Sequence, residues 1–180
     1  MTKTKVWFTG AHGTGKTTQM EYFHNIHPEY DMMHMERRDL YKNGIIKINQ
    51  EAAPWDEVVI AGTAMLSFLS QSSPFISDRS WVCKSAYSQC LLHPDDLKDA
   101  YHVVNAYAFP GFTDEDIYFY FPPTLPLEND GVRSMNEEYR AEVDLWIQFY
   151  LNFFQIPYHT ITEETVQNRH FQIEREVFRK

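Results

Sequence analysis

Apolar residues fall in short runs separated by longer stretches of helical period, the alternation that builds a parallel sheet covered by helices on both faces. KVWFT, Lys5–Thr9, reads as a first buried strand. Lys16–Asn25 follows as a helix, and YDMMHME as a second strand ending near Glu36. Pro54 suits a first helical turn, and Val58, Ala61, Met65, Phe68 and Leu69 then recur at the spacing of one apolar face. PFISD is a short strand ending at Asp78, with a helix through Ala86 to Leu92 behind it. Pro94 opens another helix, marked by Leu97, Ala100, Tyr101 and Val104.

DIYFYF is the clearest strand of the chain and is closed by Pro122-Pro123. Glu128–Ser134 is polar and contains Gly131, as a loop does. Ser134 with Glu137 three residues later has the form of a capping box, opening a helix with Tyr139, Val143, Trp146 and Tyr150 on one face. PYHTIT gives a last strand, and Val166, Ile173 and Val177 outline a final amphipathic helix. The pattern predicts a single domain over 1–180, a five-stranded α/β sandwich. Sheets of this kind bind ligands at the carboxyl ends of their strands.

Composition narrows the partners. The 180 residues suffice for one core, and 43% hydrophobic with 16% aromatic residues argues against disorder. A net charge of −9 disfavours non-specific attachment to nucleic acid or anionic membrane, although a local basic cleft stays compatible with it. Cys83 and Cys90, two helical turns apart, stand too far from each other for a disulfide and read as free thiols of a reducing compartment. MTKTKVWFTG lacks the apolar core of a signal peptide, and no run approaches the roughly 20 apolar residues of a membrane helix. The expectation is a soluble cytoplasmic protein without a membrane partner.

The candidate chemistry begins between the first strand and the first helix. Gly10-Ala11-His12-Gly13-Thr14-Gly15-Lys16-Thr17 matches G-x-x-x-x-G-K-[ST] in full, and Thr18 continues into the helix. Glycines let successive N–H groups curl around an oxyanion, and the helix N-terminus adds its dipole. Lys16 is positioned to reach the β- and γ-phosphates, and the Thr17 hydroxyl to ligate Mg²⁺. His12 occupies a spacer position of the motif.

The use made of the nucleotide is narrowed by elimination. N-K-x-D of guanine-specific GTPases and L-S-G-G-Q of transport ATPases are both absent, and the chain leaves little room for the helical extension of a remodelling ATPase. Small kinases need an acid beyond the middle strand, a residue for the acceptor, and arginines on a lid. Asp78-Arg79-Ser80 supplies the acid, able to hold Mg²⁺ opposite Thr17, with Arg79 turned to the acceptor. Glu36, ionised at neutral pH, is the candidate base for an acceptor hydroxyl. In LENDGVRSMNEEYR, Arg133 and Arg140 share a face if the helix runs through both, ready to stabilise charge on the γ-phosphate.

FTGAHGTGKTT, FISDRSWVCKSAY and YFYFPPTLPLENDGVRSMNEEYRAEVD together resemble small P-loop kinases. The likeness is to the ribosylnicotinamide kinase domain of the bifunctional NAD-biosynthesis regulator, and more distantly to thymidylate and deoxynucleoside kinases. It runs from Val6 to about Ile173 and implies a parallel sheet of order 2-3-1-4-5, ATP with Mg²⁺, and a lid over about residues 126–140. It implies phosphoryl transfer to a hydroxyl or phosphate of a nucleoside-like acceptor. Lys16, Thr17, Asp78, Arg79 and Arg133 match motif for motif. RRDLYKNG after Glu36 carries neither the Glu-Pro of deoxynucleoside kinases nor the Arg-Glu-Pro of thymidylate kinases.

The acceptor therefore stays open. It is a free nucleoside or nucleotide in an enclosed pocket, or, as in some bacteriophage relatives, a hydroxymethylpyrimidine already in DNA; a phage-encoded protein would work in the host cytoplasm. The DNA version predicts an open groove lined by Arg37, Arg38, Lys42 and Lys84. Tyr41, Trp55, Trp81 and Tyr87 offer stacking surfaces in either case. A nucleotide-dependent regulatory ATPase, without an acceptor, is the reading from another class.

Overall fold

The computed structural model describes residues 5–34, 37–48, 51–71, 74–91, 116–129, 131 and 134–179. In chain order these form β1 (Lys5–Thr9), α1 (Lys16–Ile26), β2 (Asp31–Met33), α2 (Arg37–Lys42), α3 (Pro54–Ser70), β3 (Phe75–Ser77), α4 (Trp81–Leu91), β4 (Asp116–Tyr120), α5 (Glu137–Phe153), β5 (Tyr158–Thr160) and α6 (Val166–Val177). The strands make one sheet in the order β2-β3-β1-β4-β5. Every pairing is parallel, with Val6 opposite Ile76 and Ile117, and Tyr120 opposite Thr160. The predicted topology is the one observed.

Strand alternation sorts the core into two layers. Val6 and Phe8 of β1, with Phe119 and Phe121, pack on Met20 and Phe23 of α1 and Ile173 of α6. Trp7 points the other way, among Phe75, Trp81, Tyr118 and the apolar side of α5. Trp7 meets Phe75 edge-on at 5.1 Å and stacks on Tyr118 at 6.1 Å. Burying side chains of this size contributes about 2–3 kcal/mol each, so β1 is fixed from both faces. Its carboxyl end, where the glycine loop begins, is correspondingly rigid. Tyr120 donates to the Asp144 carboxylate at 2.8 Å and so ties α5 to β4.

Several expectations shift in detail. Of the expected α3 face, Ala61 is buried and Met65 and Phe68 pack against the core, while Leu69 is 68% exposed. The apolar spacing left out Glu57, Ile60 and Ala64, which are also buried, because a carboxylate interrupts that stripe. The charged segment RRDLYK forms a short helix, α2. The second strand, expected to end near Glu36, ends at Met33, with His34 already outside it; the helix opened by Pro94 lies outside the described residues. The Ser134 capping box is corrected: Asn136 is the N-cap, its side chain accepting from Tyr139 N–H at 3.0 Å. Ser134 instead accepts from Asn136 N–H at 3.3 Å. Ser134–Asn136 are not helical and α5 starts at Glu137; the expected pairing of Arg140 with Arg133 on one helix face involves a residue outside those described. No helix among the described residues is long and apolar enough to cross a membrane.

Candidate active site

The glycine loop joins β1 to α1 as a chain of turns whose carbonyls face outward onto cations. Arg140, buried on α5, donates from Nε to the His12 carbonyl at 3.1 Å and from Nη2 to that of Gly13 at 3.4 Å. Arg169 of α6 donates to the Thr14 carbonyl at 3.2 Å. Lys16 Nζ lies 2.5 Å from the Ala11 carbonyl and 2.8 Å from Thr14 Oγ1. No described residue accepts from the N–H groups of His12, Gly13 or Thr14. The loop thus presents donors inward and has its acceptors already neutralised, the arrangement of an anion nest.

Two glycines are required, Gly10 by space and Gly15 by its backbone conformation. A Cβ on Gly10 would sit 2.4 Å from the Phe121 carbonyl oxygen. Gly15, at φ 84°, is the left-handed N-cap of α1, and a Cβ there would meet Arg169 Nη1 at 2.9 Å. Below the loop, Gly10 N–H donates to Cys83 Sγ at 3.4 Å, so one of the two free thiols is a strut of the site.

The acid expected beyond the middle strand stands beside the loop. Thr17 Oγ1 donates to Asp78 Oδ2 at 2.7 Å. Ser77 Oγ donates to the Arg79 carbonyl at 2.8 Å, and Thr9 Oγ1 donates to Ser80 Oγ at 2.8 Å, which fixes the Asp78-Arg79-Ser80 turn against β1. Thr18 faces solvent. Glu36 and Arg133 lie outside the described residues.

A second group of side chains, not assembled by sequence reasoning, lies next to the loop. Tyr87 of α4 is buried with the guanidinium carbons of Arg37 and Arg79 over its ring at 5.3 and 5.0 Å. Its hydroxyl pairs with His12 Nδ1 at 3.0 Å. Arg37 bonds Glu57 at 3.0 Å, and Ser88 Oγ donates to the other oxygen of that carboxylate at 3.3 Å. Lys84, one turn before Tyr87 and Ser88 on the same face of α4, is 5% exposed, and its Nζ has no hydrogen-bond partner. Burial pushes the Lys84 ammonium down to about 7; Glu57 pulls it up, and Arg37 and Arg79 push it further down. His12 falls to about 4, chiefly through burial and then through Arg79, Lys16 and Arg140, so its ring is neutral at neutral pH.

Of the aromatics expected to stack on a base, Tyr87 belongs to this cluster and Trp81 is core beside Trp7, whereas Tyr41 and Trp55 are exposed. Of the basic residues expected to line a groove, Lys84 is buried, Arg37 is half-buried and Lys42 is exposed. The side chain of Arg38 lies outside those described. Helical spacing in FISDRSWVCKSAYS was the one available signal, since it sets Lys84, Tyr87 and Ser88 on a common face.

A parallel sheet ordered 2-3-1-4-5, with a phosphate-binding loop after its central strand, defines a P-loop α/β domain of the kinase-like kind. The chain belongs to the AAA_28 family, described as an AAA domain, which matches residues 5–169. It is similar in fold to thymidylate kinase from Ehrlichia chaffeensis, with TM-score 0.63, 17% identity, and 97% of this chain and 98% of that one covered. Deoxyadenosine kinase from M. mycoides gives TM-score 0.66 at 16% identity over 97% and 98% of the two chains. The NadR protein in complex with NAD and AMP-PNP gives 0.74 at 14% identity; 99% of this chain is covered but 50% of NadR, so the chain spans about half of that protein. No curated protein matches the chain in sequence.

Proposed function

We propose that the protein is an ATP-dependent phosphotransferase that moves the γ-phosphoryl group to a nucleoside- or nucleotide-like acceptor. The observation that carries this reading is the 2.7 Å bond from Thr17 to Asp78, which joins the nucleotide loop to the acid after β3. A hydroxyl and a carboxylate side by side are hard oxygen donors, the set that Mg²⁺ takes, so both residues fit the ion the resemblance implies. When bound between Thr17 and Asp78, Mg²⁺ would supply positive charge to offset the negative charge of the nucleotide phosphates.

The chain's own residues divide the remaining work. The N–H groups of residues 12–14 receive the phosphate oxygens, and Lys16 exchanges its bonds to Ala11 and Thr14 for the β- and γ-oxygens. Arg79, between Asp78 and Tyr87, faces the acceptor. Arg133 closes from the lid, and Glu36 takes the proton of an acceptor that is a hydroxyl. Arg140 acts one step back: its guanidinium holds the His12 and Gly13 carbonyls, which makes it a positioning residue for the loop. The buried position of Lys84, and the half-buried Arg37 held by Glu57, favour a small acceptor over a strand of DNA lying in an open groove.

The test is transfer of label from γ-labelled ATP to a panel of nucleosides, nucleoside monophosphates, ribosylnicotinamide and DNA carrying hydroxymethylpyrimidines. Label on a small acceptor is expected. Label on DNA alone would replace the small acceptor by the DNA one, and release of inorganic phosphate with no labelled acceptor would leave a regulatory ATPase.

A further inference from the structure

We infer that the accepting group is itself a phosphate, so that the substrate is a nucleoside monophosphate and the product a diphosphate. This rests on the kinase reading above and selects among its acceptors. Arg37 of α2 and Arg79 of the β3–α4 turn lie over the Tyr87 ring, and Lys84, one turn before Tyr87 on α4, is near enough to both arginines to feel their charge. Among the described residues the carboxylates that act on them are Glu57 of α3 and Asp78. Both are engaged, Glu57 by Arg37 and Ser88 and Asp78 by Thr17. Lys84 Nζ is left with no hydrogen-bond partner in a place that water does not reach. A buried, unpaired ammonium is costly, and so is a surplus of positive charge; a phosphate dianion supplies the missing partner for both. A neutral nucleoside would leave the surplus unpaired.

Position agrees with charge. Arg79 follows the acid that bonds Thr17, and Tyr87 is bonded to His12 in the nucleotide loop, so the cationic cluster lies beside the place of the γ-phosphate. In the step, an oxygen of the bound monophosphate bonds to Pγ while the bond from Pγ to the β,γ-bridging oxygen breaks, and that electron pair leaves on ADP. With a second pKa of about 6, the accepting phosphate is largely a dianion at neutral pH and has no proton to give up. Glu36 then keeps a base's role only for hydroxyl acceptors.

The experiment is steady-state transfer with ribo- and deoxyribonucleoside monophosphates, the matching nucleosides, and hydroxymethylpyrimidine DNA, for the wild type and for Lys84→Met and Lys84→Arg. The expected result is label in a nucleoside diphosphate. Lys84→Met should raise the KM for the monophosphate about 30-fold or more while the KM for ATP changes little, with Lys84→Arg recovering part of the loss. Label passing to nucleosides or to DNA, with monophosphates left unlabelled, overturns the inference and leaves the kinase reading standing. A Lys84→Met protein that is folded by thermal melt and has an unchanged KM for the monophosphate also overturns it. Absence of label on every acceptor, with phosphate released, overturns both readings.

Discussion

Lys84→Met is expected to stabilise the protein while harming its activity, and the structure gives the size and sign of the effect. The ammonium is 5% exposed and its carboxylate neighbour is engaged elsewhere. Burial lowers it from 10.5 to about 7, a change of 10.5 − 7 = 3.5. At about 1.36 kcal/mol for each unit, the folded state loses on the order of 5 kcal/mol as a ceiling when Lys84 must be charged. Between pH 7 and 10.5 the unfolded chain binds the proton and the folded one does not, so this group makes stability rise with pH across that window. Below pH 7 both states are protonated and the penalty is complete. Methionine fills a similar volume without charge, so a gain of about 1–4 kcal/mol is expected at pH 6.5. Urea unfolding of both proteins at pH 6.5 and 9.5 checks this, with the difference shrinking at the higher pH. A variant less stable than wild type at pH 6.5, or an identical pH trend in the two proteins, would refute the reasoning.

Other expectations concern the nucleotide loop. Lys16→Ala should lower phosphoryl transfer by about a thousandfold or more in a labelled-ATP assay, and near wild-type transfer would remove the loop from the chemistry. Asp78→Asn should weaken Mg²⁺-dependent nucleotide binding in calorimetry and leave binding in EDTA nearly unchanged. Gly10→Ala, whose Cβ would lie 2.4 Å from the Phe121 carbonyl oxygen, should cost about 1–3 kcal/mol in urea unfolding; a neutral result would mean that the strand ends move freely. Arg140→Met leaves the His12 and Gly13 carbonyls without their donor and should raise the KM for ATP more than it lowers kcat.

Local signals carried much of this site. Trp7 between Val6 and Phe8 announces a strand buried on both faces, and GAHGTGKT needs only a strand before it and a helix after it to be read. The α5 start was harder, because Ser134 and Asn136 are both good caps two residues apart and the choice moves Arg140 relative to the segment before it. Arg140 reads locally as a lid residue, whereas its bonds reach back 127 and 128 positions to the glycine loop. Arg37, Arg79, Lys84 and Tyr87 were each legible as acceptor-side candidates, but their assembly with Glu57 and His12 was not, for the same reason. His12, Arg37, Glu57 and Arg79 come from four different segments and meet Lys84 and Tyr87 of α4, and their local excess of positive charge is hidden in a chain of net charge −9. Glu57 interrupts an apolar stripe and so draws attention away from the face that it defines.

The central claim is that ATP turnover transfers phosphate to an acceptor. Phosphorus NMR of the protein with ATP, Mg²⁺ and the acceptor panel measures this directly, because ADP, inorganic phosphate and new phosphoesters or diphosphates resolve together. The expected result is ADP matched by a phosphorylated acceptor, with little free phosphate. ADP matched by inorganic phosphate, whatever acceptor is present, would contradict it.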